Sequence, residues 1–143
     1  MNAFRFPLQK ALDLRRTQLE LEEARYKQYT AELAALDRLR AEVEASGIRV
    51  EVEVRTWDRI GGSDLAALHR YRLRVKNEEA RIAEQRIAAA RNVTDQQEKM
   101  MEARRRCRLL ERLKDRRLTE WRSAHEKELE TVAAESYLAQ WSR

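Results

Sequence analysis

Only four of the 143 residues are glycine or proline: Pro7, Gly47, Gly61 and Gly62. An average protein draws about 12% of its residues from these two types. So few chain-breakers exclude a loop-rich fold, a β-sandwich turning every ten residues, and collagen-like or proline-rich chains. Charged residues make up 38% of the chain, against about 25% in an ordinary domain. Yet 43% is still hydrophobic, and these residues recur at regular spacing, which argues against disorder. Long helix or coiled coil is what remains.

The breakers themselves mark the plan. Pro7 suits the start of a helix, where its missing N–H costs nothing. Gly61-Gly62-Ser63-Asp64 is the one cluster of turn-formers, and Ser63 is expected to cap the helix that follows, with Asp64 in its first turn. The prediction is a helix over 8–60, a turn over 61–63 and a helix over 64–141, roughly 80 and 120 Å long. In the first helix, Leu8, Tyr29, Leu36, Val43, Val50 and Trp57 fall on one heptad series, and Leu12, Leu19, Tyr26, Leu33 and Val54 on its partner. In the second, Leu65, Val93, Met100 and Cys107 interleave with Leu68, Val75, Ile82, Ala89, Ala103 and Leu110. Both seams repeat every 3.5 residues on average, and a short turn makes the helices antiparallel. The expected fold is all-α: one coiled-coil domain over 1–143, with two long helices in an antiparallel hairpin. Arg15, Glu22, Arg72, Glu79 and Arg86 interrupt the seams and read as devices that fix register.

Ile48, Val50, Val52 and Val54 alternate with charged residues just after Gly47, a strand pattern. No second alternating run exists to pair with it, and a lone strand is unstable, so continued helix is expected, weakest at Gly47. The second helix is the longer, and about 116–142 is expected to overhang. There the period changes: Cys107, Leu118, Leu129 and Leu110, Trp121, Val132 each recur every eleven residues, the spacing of a straight or slightly right-handed stripe. An apolar stripe on an unpaired helix implies a partner, and Trp121 and Trp141 are good contact candidates there.

Residue types give little support to catalysis, cofactors or metals. His69 and His125 stand far apart on one helix, and Gly61-Gly62 lacks the Lys-Ser/Thr of a phosphate loop. Cys107 falls on the seam, so a packed thiol is expected, and a single cysteine fits a reducing cytoplasm. No apolar run approaches the ~18 residues of a membrane span, and Phe4-Arg5-Phe6-Pro7 is too short and charged for a signal peptide. The net charge of +5 is local: 104–117 holds eight basic and two acidic residues. Such a belt can be a solvated helix surface, a docking site for an acidic protein, or a nucleic-acid contact. The last is disfavoured by its shortness and lack of neighbouring aromatics. A basic coiled-coil scaffold or nucleic-acid-binding protein stands as the alternative reading.

The opening Phe4-Arg5-Phe6-Pro7-Leu8 with Leu12 and Arg15, the segment Gly61-Gly62-Ser63 through Leu68, Tyr71 and Val75, and Leu110-Glu111-Arg112-Leu113-Lys114-Asp115-Arg116-Arg117 with Trp121 resemble, in order and spacing, the flagellar export protein FliJ family. The resemblance spans essentially the whole chain. One departure is Ala133-Ala134, where the family often carries an Asp-Glu pair. The resemblance implies a non-enzymatic, stalk-like coiled coil of a type III protein export apparatus, in the cytoplasm at the face of the flagellar basal body. Its implied partners are a hexameric export ATPase, the cytoplasmic domain of the export gate, and export chaperones. On this reading Phe4, Phe6, Arg116, Arg117, Trp121 and Glu128 contact the ATPase, and Leu68, Tyr71 and Val75 contact the gate.

Overall fold

The computed structural model describes residues 3–143, which form two α-helices, α1 (Gln9–Arg55) and α2 (Gly62–Trp141), with no strand among the described residues. The chain is an all-α helical hairpin. Its contacts divide it into two compact units. One comprises the N-terminal segment through Leu21 with Met101–Arg143, the other Glu22–Met100.

In the Glu22–Met100 unit the heptad residues are the ones removed from solvent. Val43, Val54, Leu68, Ile82 and Ala89 are buried, together with the polar Gln96. Paired residues rise in number on one helix as they fall on the other, which fixes the antiparallel sense. Arg72 grips Glu51 with two hydrogen bonds, Nε to Oε1 at 2.5 Å and a terminal nitrogen to Oε2 at 2.7 Å. Arg86 donates to Asp37 at 2.6 Å. Gln96 donates to the Glu22 main-chain carbonyl at 3.1 Å and also to its carboxylate. Three of the charged seam residues therefore do make specific cross-helix pairs: Glu22, Arg72 and Arg86.

The Ile48–Val54 run is helical to Arg55. Ile48 and Val52, one turn apart, stay exposed while Val54 is buried, so the helical period overrides the alternation. Gly47 has no positive φ, and α1 passes through it unbroken.

The helix boundaries differ from the prediction. α1 stops at Arg55 rather than residue 60. The Thr56 amide and hydroxyl both turn back to the Glu53 carbonyl, at 3.0 and 2.7 Å, and the Trp57 amide bonds Val54 O at 3.2 Å. These i,i+3 bonds tighten the last turn and end the α-helical ladder. The connection is thus 56–61, and Trp57 is exposed rather than seated in the seam. α2 begins at Gly62, earlier than predicted. Asp64, not Ser63, makes the capping contact: its carboxylate accepts the Gly61 amide at 3.1 Å, while Leu65 N bonds Gly61 O at 3.1 Å. This is the reciprocal half of a capping box, with an acid in the first turn reaching back to the residue before the helix.

In the other unit Phe6, Leu12 and Cys107 form the buried core, with Phe4, Leu19, Leu110 and Leu113 packed against it. Leu12 is fully buried, and Arg16 reaches Glu111 at 3.5 Å. The overhang is shorter than expected. Residues 118, 121 and 125 are half-buried, and exposure is continuous only over 126–143. The reason lies before α1. Residues 3–6 are not helical, and non-helical chain covers up to about 3.5 Å per residue against 1.5 Å in a helix. The N-terminal segment therefore reaches farther along α2 than a helical start would.

Candidate partner-docking surface

The site is built where that segment crosses α2. The Gln9 amide bonds the Phe6 carbonyl at 3.1 Å, turning the chain into α1. Phe6 is thereby seated in the core beside Leu12 and Cys107. Phe4, two residues earlier, lies against Trp121 with ring centroids 6.1 Å apart and planes at 57°. Trp121 in turn stacks on His125, one turn along α2, at 5.2 Å and 10°. A tilted pair and an offset stack are both favourable geometries for aromatic rings.

Phe4, Arg5, Leu8, Leu113, Arg117 and Trp121 line an open groove of about 550 Å³. Arg117 at its rim also reaches Glu120 at 3.5 Å, one turn on. The groove offers an apolar floor, aromatic walls and a guanidinium edge, the composition of an interface hot spot.

Of the residues expected to meet the ATPase, the structure thus brings together Phe4, Phe6, Arg117 and Trp121. Arg116 is exposed on α2 but does not line the groove, and Glu128 lies in the exposed segment beyond it. Leu129 and Val132, which continue the apolar stripe, are more than half exposed. The residues expected to meet the gate divide differently. Leu68 is buried in the hairpin, where its side chain holds the seam. Tyr71 and Val75 are half-buried and line a shallow groove of about 180 Å³ with Gly47, Glu51 and Arg72. His125 and Leu113 were not anticipated at the site. The i,i+4 spacing of Trp121 and His125 is the signal that points to the first.

Cys107 is buried, and its thiol lies 3.6 Å from the Glu111 carboxylate. Burial first, and the adjacent Glu111 charge second, push its pKa above the ordinary thiol value. Among the described residues no group of three or more His, Cys, Asp or Glu side chains is placed to hold a metal ion. No helix there is long and apolar enough to cross a membrane.

The fold and groove define a helical hairpin with an exposed helical end. Compared with known proteins, the chain matches no protein-family model, no curated protein and no solved structure.

Proposed function

We propose that this protein is a non-enzymatic coupling stalk of a flagellar type III protein export apparatus. Acting in the cytoplasm at the face of the basal body, it binds a hexameric export ATPase through the end that carries the Phe4–Trp121 groove. It also engages the export gate and assists the delivery of chaperones and their substrates. The observation that carries the reading is the convergence of two FliJ-like segments, the Phe4–Leu8 opening and the Arg117–Trp121 stretch, on one groove. The exposed Leu129 and Val132 beyond it suit insertion into a ring of subunits. Gate contact falls to Tyr71 and Val75 on α2, with Leu68 in the seam beneath them.

The test is co-sedimentation with the cognate export ATPase together with its rate of ATP hydrolysis. The reading expects binding and stimulation, both reduced by Trp121→Ala and by Phe4→Ala. A chain that neither co-sediments with the ATPase nor raises its rate sinks it. The alternative, a scaffold or nucleic-acid binder acting through the 104–117 belt, expects retention on DNA or RNA that falls steeply with salt. Against it, Arg105 and Arg106 are already engaged by Glu102 at 3.1 Å each.

A further inference from the structure

The face of α2 turned away from the groove has an order of its own. With 100° of turn per residue, positions 101, 108, 112, 119, 126, 130 and 137 fall within about 40° of one another. Cys107, Leu110 and Trp121 face the opposite side. All seven positions are exposed. Along this face come Met101, then Arg108 and Arg112, then Thr119, then Glu126 and Glu130, then Tyr137. Arg108, Arg112, Glu126 and Glu130 have no ion-pair partner among the described residues. Arg108 and Arg112 instead border an open groove with Met101 and Leu109.

The order is self-complementary about Thr119. Arg112 and Glu126 each stand seven residues from it, Arg108 and Glu130 eleven, Met101 and Tyr137 eighteen. A two-fold axis through Thr119 sets each basic residue opposite an acidic one of a second helix running the other way, and each methionine opposite a tyrosine. Thr119 suits the crossing, being small, with its hydroxyl already bonded to its own helix at Asp115 O, 2.9 Å away. An isologous interface requires this pattern, in which residue i meets j and j meets i.

We infer that this face binds a second copy of the chain, in an antiparallel α2–α2 pairing centred on Thr119 and held by Arg112–Glu126 and Arg108–Glu130 pairs from each copy to the other. Any partner of this face must carry both signs of charge in the reverse order, and a second copy of the same face does so by symmetry. The presence of both signs, at equal distances from one point on a single face, is what selects a second copy. The inference uses a different face from the export reading and does not depend on it.

The full chain is tested by sedimentation equilibrium at low salt, with concentrations up to the order of 100 µM. The expected mass is twice that of one 17.0 kDa chain. The dissociation constant should rise about tenfold or more between roughly 50 and 500 mM salt, because the pairs are exposed. Arg108→Glu with Arg112→Glu should be monomeric, as should Glu126→Arg with Glu130→Arg. Mixing these two variants should restore the doubled mass. Thr119→Cys should cross-link rapidly between copies on oxidation. Ser123→Cys, on the same face but off the axis, sits about 12 Å from its mate and should not. Cys107 is buried and does not compete. A wild-type chain that stays single at low salt overturns the inference. So does a doubled mass that survives both charge reversals, which would place the contact on another face such as Leu129 and Val132. Equal cross-linking at 119 and 123 overturns it as well.

Discussion

Phe4 and Trp121 lie 6.1 Å apart, ring to ring, and this contact ties a non-helical N-terminal segment to the last covered turn of α2. Aromatic pairs contribute about 0.5–1.5 kcal/mol beyond the area they bury. Phe4→Ala and Trp121→Ala should each lower stability by about 1–2 kcal/mol. The double variant should cost less than their sum, by about 0.5–1 kcal/mol, since the residues touch. Urea unfolding followed by helical circular dichroism measures all three. Strict additivity would mean that the two rings are not coupled in solution.

Gly47 sits in the interior of α1, and a Cβ built there meets only Val75 Cγ1, at an ordinary 3.7 Å. Glycine costs roughly 0.5–1 kcal/mol relative to alanine in a helix. Gly47→Ala should therefore raise stability by about that amount, with a small addition from the new methyl contact. Gly62→Ala, at the first position of α2 with nothing within 4 Å, should gain less. Thermal unfolding of the two variants side by side gives the ranking, and a destabilised Gly47→Ala would show that the hairpin needs the space.

The helices and their seams were legible because a 3.5-residue period is written directly into the chain. Leu12, Val43, Val54, Leu68, Ile82, Ala89, Gln96 and Cys107 all sit on the heptads read from sequence and are all buried. What periodicity cannot reach lies outside the helices. Phe6 is buried because of a turn made by its own carbonyl, and the Phe4–Trp121 contact depends on how far non-helical chain extends. The end of α1 was missed for a related reason. Gly61 is the evident stop signal, but the Thr56 hydroxyl ends the helix earlier by claiming the Glu53 carbonyl. Val75 shows the same limit from the other side: a heptad position tells which way a residue faces, not whether a partner also uses it.

Gln96 is a polar residue buried in the seam, bonded to both the carbonyl and the carboxylate of Glu22. Hydrogen bonds to charged groups contribute about 1.5–3 kcal/mol. Gln96→Ala loses them and leaves a cavity, so it should destabilise by about 2 kcal/mol. Gln96→Leu keeps the volume, and Glu22 retains Arg25 at 3.4 Å. Its cost should be smaller by about 1 kcal/mol or more. Chemical unfolding separates the two. Equal losses would assign the role to the hydrogen bonds alone.

The Arg72 hydrogen bond holds the Glu51 carboxyl below its ordinary pKa of 4.5, assisted by the charges of Arg72 and Arg55. A carboxylate with a depressed folded-state pKa contributes stability above its unfolded value and loses it as pH falls through the folded one. Unfolding midpoints taken between pH 6 and 3 should fall more steeply for the wild type than for Glu51→Gln, the curves converging in acid. Both groups are exposed, so the effect at neutral pH is small and should shrink further with salt. Parallel curves would show that Arg72 and Glu51 do not pair in solution.

Cys107 gives a direct reading of whether the core beside Phe6 stays closed. The thiolate is the reactive form, and burial and Glu111 both oppose its formation here. Iodoacetamide should therefore modify the native chain far more slowly than the urea-unfolded chain at the same pH, by about a hundredfold or more. Phe6→Ala removes one of the three buried side chains of that core and should speed native modification in proportion to the stability it removes. Glu111→Gln takes away the repelling charge but not the burial, which is the larger cause, so it should have the smaller effect. A native thiol as reactive as the unfolded one would mean that α1 and α2 separate readily in this unit. The Phe4–Trp121 groove would then lack a stable floor in the free chain.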